Sequence, residues 1–239
     1  GAELLFEIAR FWASAATPAA DGRYDIVGVM GPDEYHEAYP GADRPGLRNN
    51  AYTNVMASWV LSTALEACDI LTDHRRREVH EKLGIDDREL ESWDAVSCRL
   101  RVPFHDGVIS QFEGYGELEE LDWEAYRARY GDISRLDRIL EAEGDSTDRY
   151  RLSKQADVLM LLYLLSPDQV CAQLARLGYE VDEGQLAASV EYYLARTSHG
   201  SSLSGVVHSW LQVNAGREPS WPLVKAALAG DLARNEHPC

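Results

Sequence analysis

Apolar residues recur at the three-and-four spacing of an α-helix along most of this 239-residue chain. That spacing limits the fold more than any other feature. It predicts helices over 2–16, 50–72, near 73–83 and 86–99, and over 153–164, 167–177, 183–195, 203–214 and 220–230. Only 24–29 reads as a strand. Ser166-Pro167 and Pro219-Ser220 are good helix starts. A chain of this pattern is all-α, built from helix pairs that bury their stripes against one another. Two stretches break it. Residues 17–48 are rich in Pro and Gly, and residues 101–150 read as mostly irregular, with one helical turn near 122–129. Irregular runs longer than about 15 residues are uncommon in compact domains unless they serve a function.

Composition narrows the options. The apolar fraction, 45%, suffices for a core. A formal net charge of −17 argues against nucleic acid and anionic membrane surfaces, which both favour a basic face. No apolar run reaches the ~18 residues of a membrane span. Cys68, Cys98, Cys171 and Cys239 match no metal or redox spacing. They read as reduced thiols of a cytoplasmic protein. Gly1 leads straight into an amphipathic helix without a start signal, and 235–239 trails off polar. The chain therefore reads as a piece of a longer protein.

Four constellations carry possible chemistry. In Gly31-Pro32-Asp33-Glu34-Tyr35-His36-Glu37, three acids and a histidine follow a turn and precede the helix that opens at Asn49-Asn50. Glu34, among Tyr35, Tyr39, Tyr52 and the acids Asp33 and Glu37, is expected to be a general acid whose pKa is raised by burial and like charge. The alternative is that these acids cap the next helix or face water. The second constellation, Thr197-Ser198-His199-Gly200-Ser201-Ser202-Leu203-Ser204, places hydroxyls, an imidazole and a glycine just before a helix, an arrangement suited to an anion. Residues 192–217 contain no acid although 40 of 239 residues are acidic, and they hold Arg196, His199, His208 and Arg217. An N-cap serine cluster on a buried helix is the simpler reading.

Third, Lys154 stands in the expected first turn of helix 153–164, where the helix dipole disfavours it by ~0.3–1 kcal/mol. It is placed either for a ligand or as an ordinary lysine paired with Asp157 at i+3. Fourth, His105-Asp106-Gly107 with Gln111-Phe112-Glu113-Gly114-Tyr115 offers the aromatics and carboxylates that bind sugars, while Glu117, Glu119, Glu120 and Asp122 read as a solvated face.

Together the segments GVMGPDEYHE, NNAYTNVMASWVL, FEGY, KQADVLML and TSHGSSLS, in this order, resemble glycoside hydrolase family 65, the inverting disaccharide phosphorylases and their hydrolase relatives. The resemblance implies an all-α fold that is the later half of an (α/α)6 barrel. Residues 1–239 would form a partial catalytic barrel domain without its β-sandwich, linker and first helices. It implies Glu34 as general acid, Lys154 and Gln155 as contacts to the glucosyl unit, and His199, Gly200, Ser201 and Ser202 as the phosphate-holding turn. No metal is implied, and no cofactor beyond inorganic phosphate as co-substrate. The implied activity is phosphorolysis of an α-glucosidic disaccharide of the trehalose, maltose or kojibiose type to β-glucose 1-phosphate and a free sugar. Partners would be disaccharide, phosphate and, when intact, further copies of the chain. Where the family usually reads Gly-Leu-Asp before the double asparagine, this chain has Gly46-Leu47-Arg48, which bears on the acceptor side.

Inverting hydrolysis needs a second carboxylate that holds water, and the HGSS segment has none. Phosphate in place of base and water fits the residues. The alternatives are a hydrolase of the acid-trehalase type and a non-catalytic barrel fragment. An isolated half barrel is expected to lack activity and to associate through its exposed apolar face.

Overall fold

The computed structural model describes residues 1–198 together with Val207 and Trp210. Among the described residues there are nine α-helices and two small sheets, so the all-α reading holds. Helix α1 (Ala2–Ala15) runs into a three-stranded antiparallel sheet of β1 (Ala16–Pro18), β2 (Tyr24–Val29) and β3 (Leu47–Arg48). Then come α2 (Ala51–Ile70), α3 (Asp73–Leu83) and α4 (Asp87–Ser97). A two-residue hairpin, β4 (Phe104–His105) and β5 (Val108–Ile109), precedes α5 (Trp123–Tyr130) and α6 (Leu136–Ala142). The last described helices are α7 (Asp157–Leu164), α8 (Pro167–Arg176) and α9 (Glu183–Leu194).

Local chemistry fixes the helix ends. Asn50, Thr72, Asp86, Asp122, Ser166 and Asp182 each accept a backbone N–H three residues on, the N-cap arrangement worth about 1 kcal/mol apiece. Ser166 with Gln169 and Asp182 with Gln185 complete capping boxes. Helix α2 is the central element, packed against α1, α4, α7 and α8. Phe6 of α1 and Trp93 of α4 meet in the core beside it, ring centroids 5.8 Å apart, and both are buried. Burial of one such side chain contributes about 1.5–3 kcal/mol. After Asp157, helix α7 is apolar on every face, and it is buried as far as Leu162. On α1, Leu4, Ile8 and Phe11 form an exposed stripe at helical spacing.

The region 101–150 departs from expectation. Helix α5 matches the expected turn near 122–129, but α6 and the hairpin also lie there. Helix α6 is one reason 101–150 reads as loop: it is seven residues long with no side-chain cap. Its Leu136 and Leu140 pack with Leu121, Ile133, Leu152 and Tyr35 in a second, separate apolar cluster, so tertiary burial, rather than local propensity, makes it a helix. Val207 and Trp210 are helical; the rest of the expected helices at 203–214 and 220–230 lie outside the described residues. Cys68, Cys98 and Cys171 are free thiols.

Candidate active site

Strand β2 delivers the chain to the site. A bulge interrupts its pairing with β3 between Val27 and Val29. Gly28 (φ +78°) and Gly46 (φ +113°) face each other there, and a Cβ on Gly46 would lie 2.7 Å from the Gly28 Cα. Only glycines allow this approach in the left-handed region. The strand therefore bends before Met30, and residues 31–36 turn across the N-terminal ends of α2 and α7.

Two buried carboxylates organise that turn. The Asp33 backbone N–H donates to Asp157 Oδ1 at 2.6 Å. Asp157 Oδ2 accepts from Asn50 Nδ2 at 2.6 Å. Asp33 Oδ1 accepts from the backbone N–H groups of Lys154 (2.9 Å) and Gln155 (3.4 Å), and Asp33 Oδ2 accepts from Gln111 Nε2 at 2.8 Å. Gln111 Oε1 in turn accepts from the Asp157 backbone N–H at 3.2 Å. His36 Nδ1 stands 3.5 Å from Asp33 Oδ2, and its Nε2 is 3.0 Å from the Tyr150 carbonyl. Burial first, and the charge of Asp33 second, push the Asp157 carboxyl up to about 7, against the pull of the Asn50 hydrogen bond.

Around this buried frame the sequence-derived residues take their places. The Glu34 side chain emerges one residue after Asp33 and is 69% exposed, with Oε2 2.5 Å from Lys154 Nζ. Gln155 Nε2 donates to the Pro32 carbonyl at 3.1 Å. Glu34 is thus brought to Lys154 and Gln155, which lie more than a hundred residues away in sequence. Tyr35 is buried beneath them, its hydroxyl 3.0 Å from Ser198 Oγ. Ser198 N donates to the Ser153 carbonyl and Ser153 N to the Arg196 carbonyl, both at 2.9 Å. The chain therefore arrives at Ser198 against the same cluster. The next residues, His199, Gly200, Ser201 and Ser202, lie outside the described residues.

Three expectations are corrected. Glu34 is not buried among like charges: Asp33 turns inward, while Glu37 is exposed and its backbone N–H is held by Asp148 Oδ1. Lys154 does not occupy the first turn of a helix, because α7 begins at Asp157. The N–H groups of Ser153, Lys154 and Gln155 are already taken by Arg196 and Asp33, so this segment stays out of the helix; Ser153 bridges Thr197 and the chain bends at Lys154 and Gln155. The ammonium partner of Lys154 is Glu34 rather than Asp157. The aromatics of 105–115 are not a sugar platform: Phe112 and Tyr115 are core residues packed on His36. His105-Asp106-Gly107-Val108 is the tight turn of the hairpin, with φ positive at Asp106 and Gly107. The expected solvated face is exposed as expected, and part of it is ion-paired: Glu119 meets Arg149 at 2.9 Å and Glu120 meets Arg196 at 3.0 Å.

Arg48 joins a separate cluster. Buried Asp25 accepts from Arg48 Nη2 (2.5 Å), Asn49 Nδ2 (2.9 Å) and Arg101 Nε (2.8 Å). Burial raises the Asp25 pKa, but these donors outweigh it and hold the carboxyl below its usual range. Arg48 Nε also lies 3.4 Å from Glu113 Oε2, so the FEGY acid neutralises an arginine. Sequence reasoning missed Asp157 and Gln111 as partners of Asp33, and Asn50 as a partner of Asp157. Gln111 left no local signal, and Asp157 looked like the ion-pair partner of Lys154.

The structure is a helical fold that gathers the carboxylate of Glu34, the ammonium of Lys154 and the amide of Gln155 on its loops. The chain belongs to glycosyl hydrolase family 65, whose central catalytic domain it matches over residues 1–239. It is 58% identical over 98% of its length to an uncharacterized glycosyl hydrolase of Mycobacterium tuberculosis, covering 18% of that protein. It is 43% identical over 90% of its length to the trehalose 6-phosphate phosphorylase of Lactococcus lactis, covering 27% of it. The kojibiose phosphorylase of Halothermothrix orenii is 32% identical over the whole chain, which covers 28% of it. A solved structure from the human microbiome, named as a candidate kojibiose phosphorylase, superimposes with a TM-score of 0.68 at 25% identity over 90% of this chain and 28% of its own. The chain thus spans less than a third of each of these relatives.

Proposed function

We propose that this domain serves an inverting phosphorolysis of an α-glucosidic disaccharide, releasing β-glucose 1-phosphate and a free sugar. The observation that carries the reading is the meeting of Glu34 with Lys154 and Gln155 at an open surface, in a chain whose relatives include phosphorylases of trehalose 6-phosphate and kojibiose. Glu34 is the general acid, protonating the glycosidic oxygen as the bond to the anomeric carbon breaks. Lys154 and Gln155 hold hydroxyls of the glucosyl unit. Phosphate, held at 199–202, attacks the opposite face of that carbon, which inverts it. In the free domain Lys154 pairs with Glu34, and sugar hydroxyls that engage the ammonium open that pair.

The test is product release by the protein at full natural length, with and without phosphate, from trehalose, trehalose 6-phosphate, kojibiose and maltose. Phosphate-dependent glucose 1-phosphate is the expected product. Sugar release that ignores phosphate removes this reading and favours an inverting hydrolase. Glu34→Gln is expected to abolish disaccharide turnover while sugar binding persists, and unchanged turnover would eliminate the acid role.

A further inference from the structure

Resting on that reading of Glu34, Lys154 and Gln155, we propose that Asp33 is a positioning residue. Its buried carboxylate ties the turn bearing Glu34 to the segment bearing Lys154 and Gln155, and so sets where the proton donor stands relative to the sugar-holding pair.

The visible link between the two segments, the ion pair of Glu34 with Lys154, is unsuited to this task. It is exposed on the Glu34 side, so solvent screens it. It must also open for a sugar to reach either group. The distance between donor and sugar contacts is therefore held from below. Three residues form a closed ring there: Asp33 N–H to Asp157, Asp157 N–H to Gln111, and Gln111 Nε2 back to Asp33. The other Asp33 oxygen takes the backbone N–H groups of Lys154 and Gln155. Asp33, Asp157 and Gln111 are all buried, so the ring is shielded from water and each bond is costly to break. Gly31 admits the carboxylate of Asp157 to within a distance that no side chain would allow. From this frame to Glu34 is a single peptide step. Glu34 is thus the exposed end of a rigid lever, and the backbone of Lys154 is bonded to the same pivot.

The experiment compares two substrates in the protein at full natural length, both with phosphate. A disaccharide needs its leaving oxygen protonated, whereas α-glucosyl fluoride departs with far less help from a proton donor. Asp33→Asn places an amide N–H against the Gln111 amide N–H and so breaks the ring. It is expected to lower kcat on the disaccharide by about 10- to 100-fold, the loss that a small misplacement brings. The rate on α-glucosyl fluoride should stay within about twofold, because a displaced acid matters little there. Asp33→Asn with Gln111→Glu restores a donor facing an acceptor and should recover most of the disaccharide rate. Equal loss on both substrates, or no recovery in the double variant, overturns the proposal. Where Asp33→Asn alone fails to fold, Gln111→Met is read on the same two substrates; a smaller selective loss supports the proposal and an equal loss overturns it. Glu34→Gln run alongside separates the two levels. If it lacks the selective loss, the proton-donor reading fails and the proposal falls with it; if it shows the loss while Asp33→Asn does not, the positioning role alone fails.

Discussion

Replacing Gly31 by alanine should damage the molecule more than any exposed glycine substitution. An added methyl would stand 1.8 Å from Asp157 Oδ2 and 2.6 Å from Asn50 Nδ2, where ordinary contact is 3.4–4 Å. Asp157 has little room to retreat, since Asp33 N–H and Asn50 Nδ2 hold its two oxygens at 2.6 Å each. Overpacking of this kind costs about 1–3 kcal/mol. Pushing the carboxylate away also leaves a buried amide unpaired, for about 1–3 kcal/mol more. The sum is about 4 kcal/mol, or a drop of roughly 8–16 °C in Tm for a chain of this size. Gly22 is the control. It has φ +81° with open space around its Cβ position, so alanine there meets only the left-handed backbone penalty of about 1–2 kcal/mol. Urea unfolding followed by far-UV circular dichroism reads both variants against the parent. A Gly31→Ala loss below about 1 kcal/mol, or no larger than that of Gly22→Ala, would refute the close-approach reasoning. Combining Gly31→Ala with Asp157→Ala should cost clearly less than the two single changes added, because the second removes the obstacle.

Three further outcomes follow from the same geometry. The Asp157 pKa is raised to about 7 in the fold, so its contribution is fully present below the unfolded carboxyl value of about 4 and is lost as pH rises through about 7; Asp157→Asn should flatten the fall in Tm between pH 4 and 7, and an unchanged slope would contradict the assignment. Asp25→Ala strands Arg48, Arg101 and Asn49 around a vacated buried carboxylate and should cost about 3–5 kcal/mol in urea unfolding, whereas a loss under 1 kcal/mol would show the cluster to be idle. Lys154→Met removes a pair exposed on the Glu34 side, so stability should move by less than about 1 kcal/mol while kcat/KM for the disaccharide falls; a large stability change with unaltered kinetics would reverse that assignment.

The sequence by itself determined most of the described helices and the short strand at 24–29, because spacing and turn residues act over a few neighbours. It also marked Glu34, Lys154 and Gln155, through five segments in family order. What only the tertiary structure decided is how those groups are held. Asp33 looked like one more acid beside Glu34, yet it points inward and takes the N–H groups of 154 and 155. That delays α7 to Asp157 and gives Lys154 a partner 120 residues away in sequence. The aromatics of 112–115 looked free to stack on a sugar and proved to be core. In each case the deciding term is burial and hydrogen bonding between distant segments, and no local pattern encodes which distant group will meet a given donor.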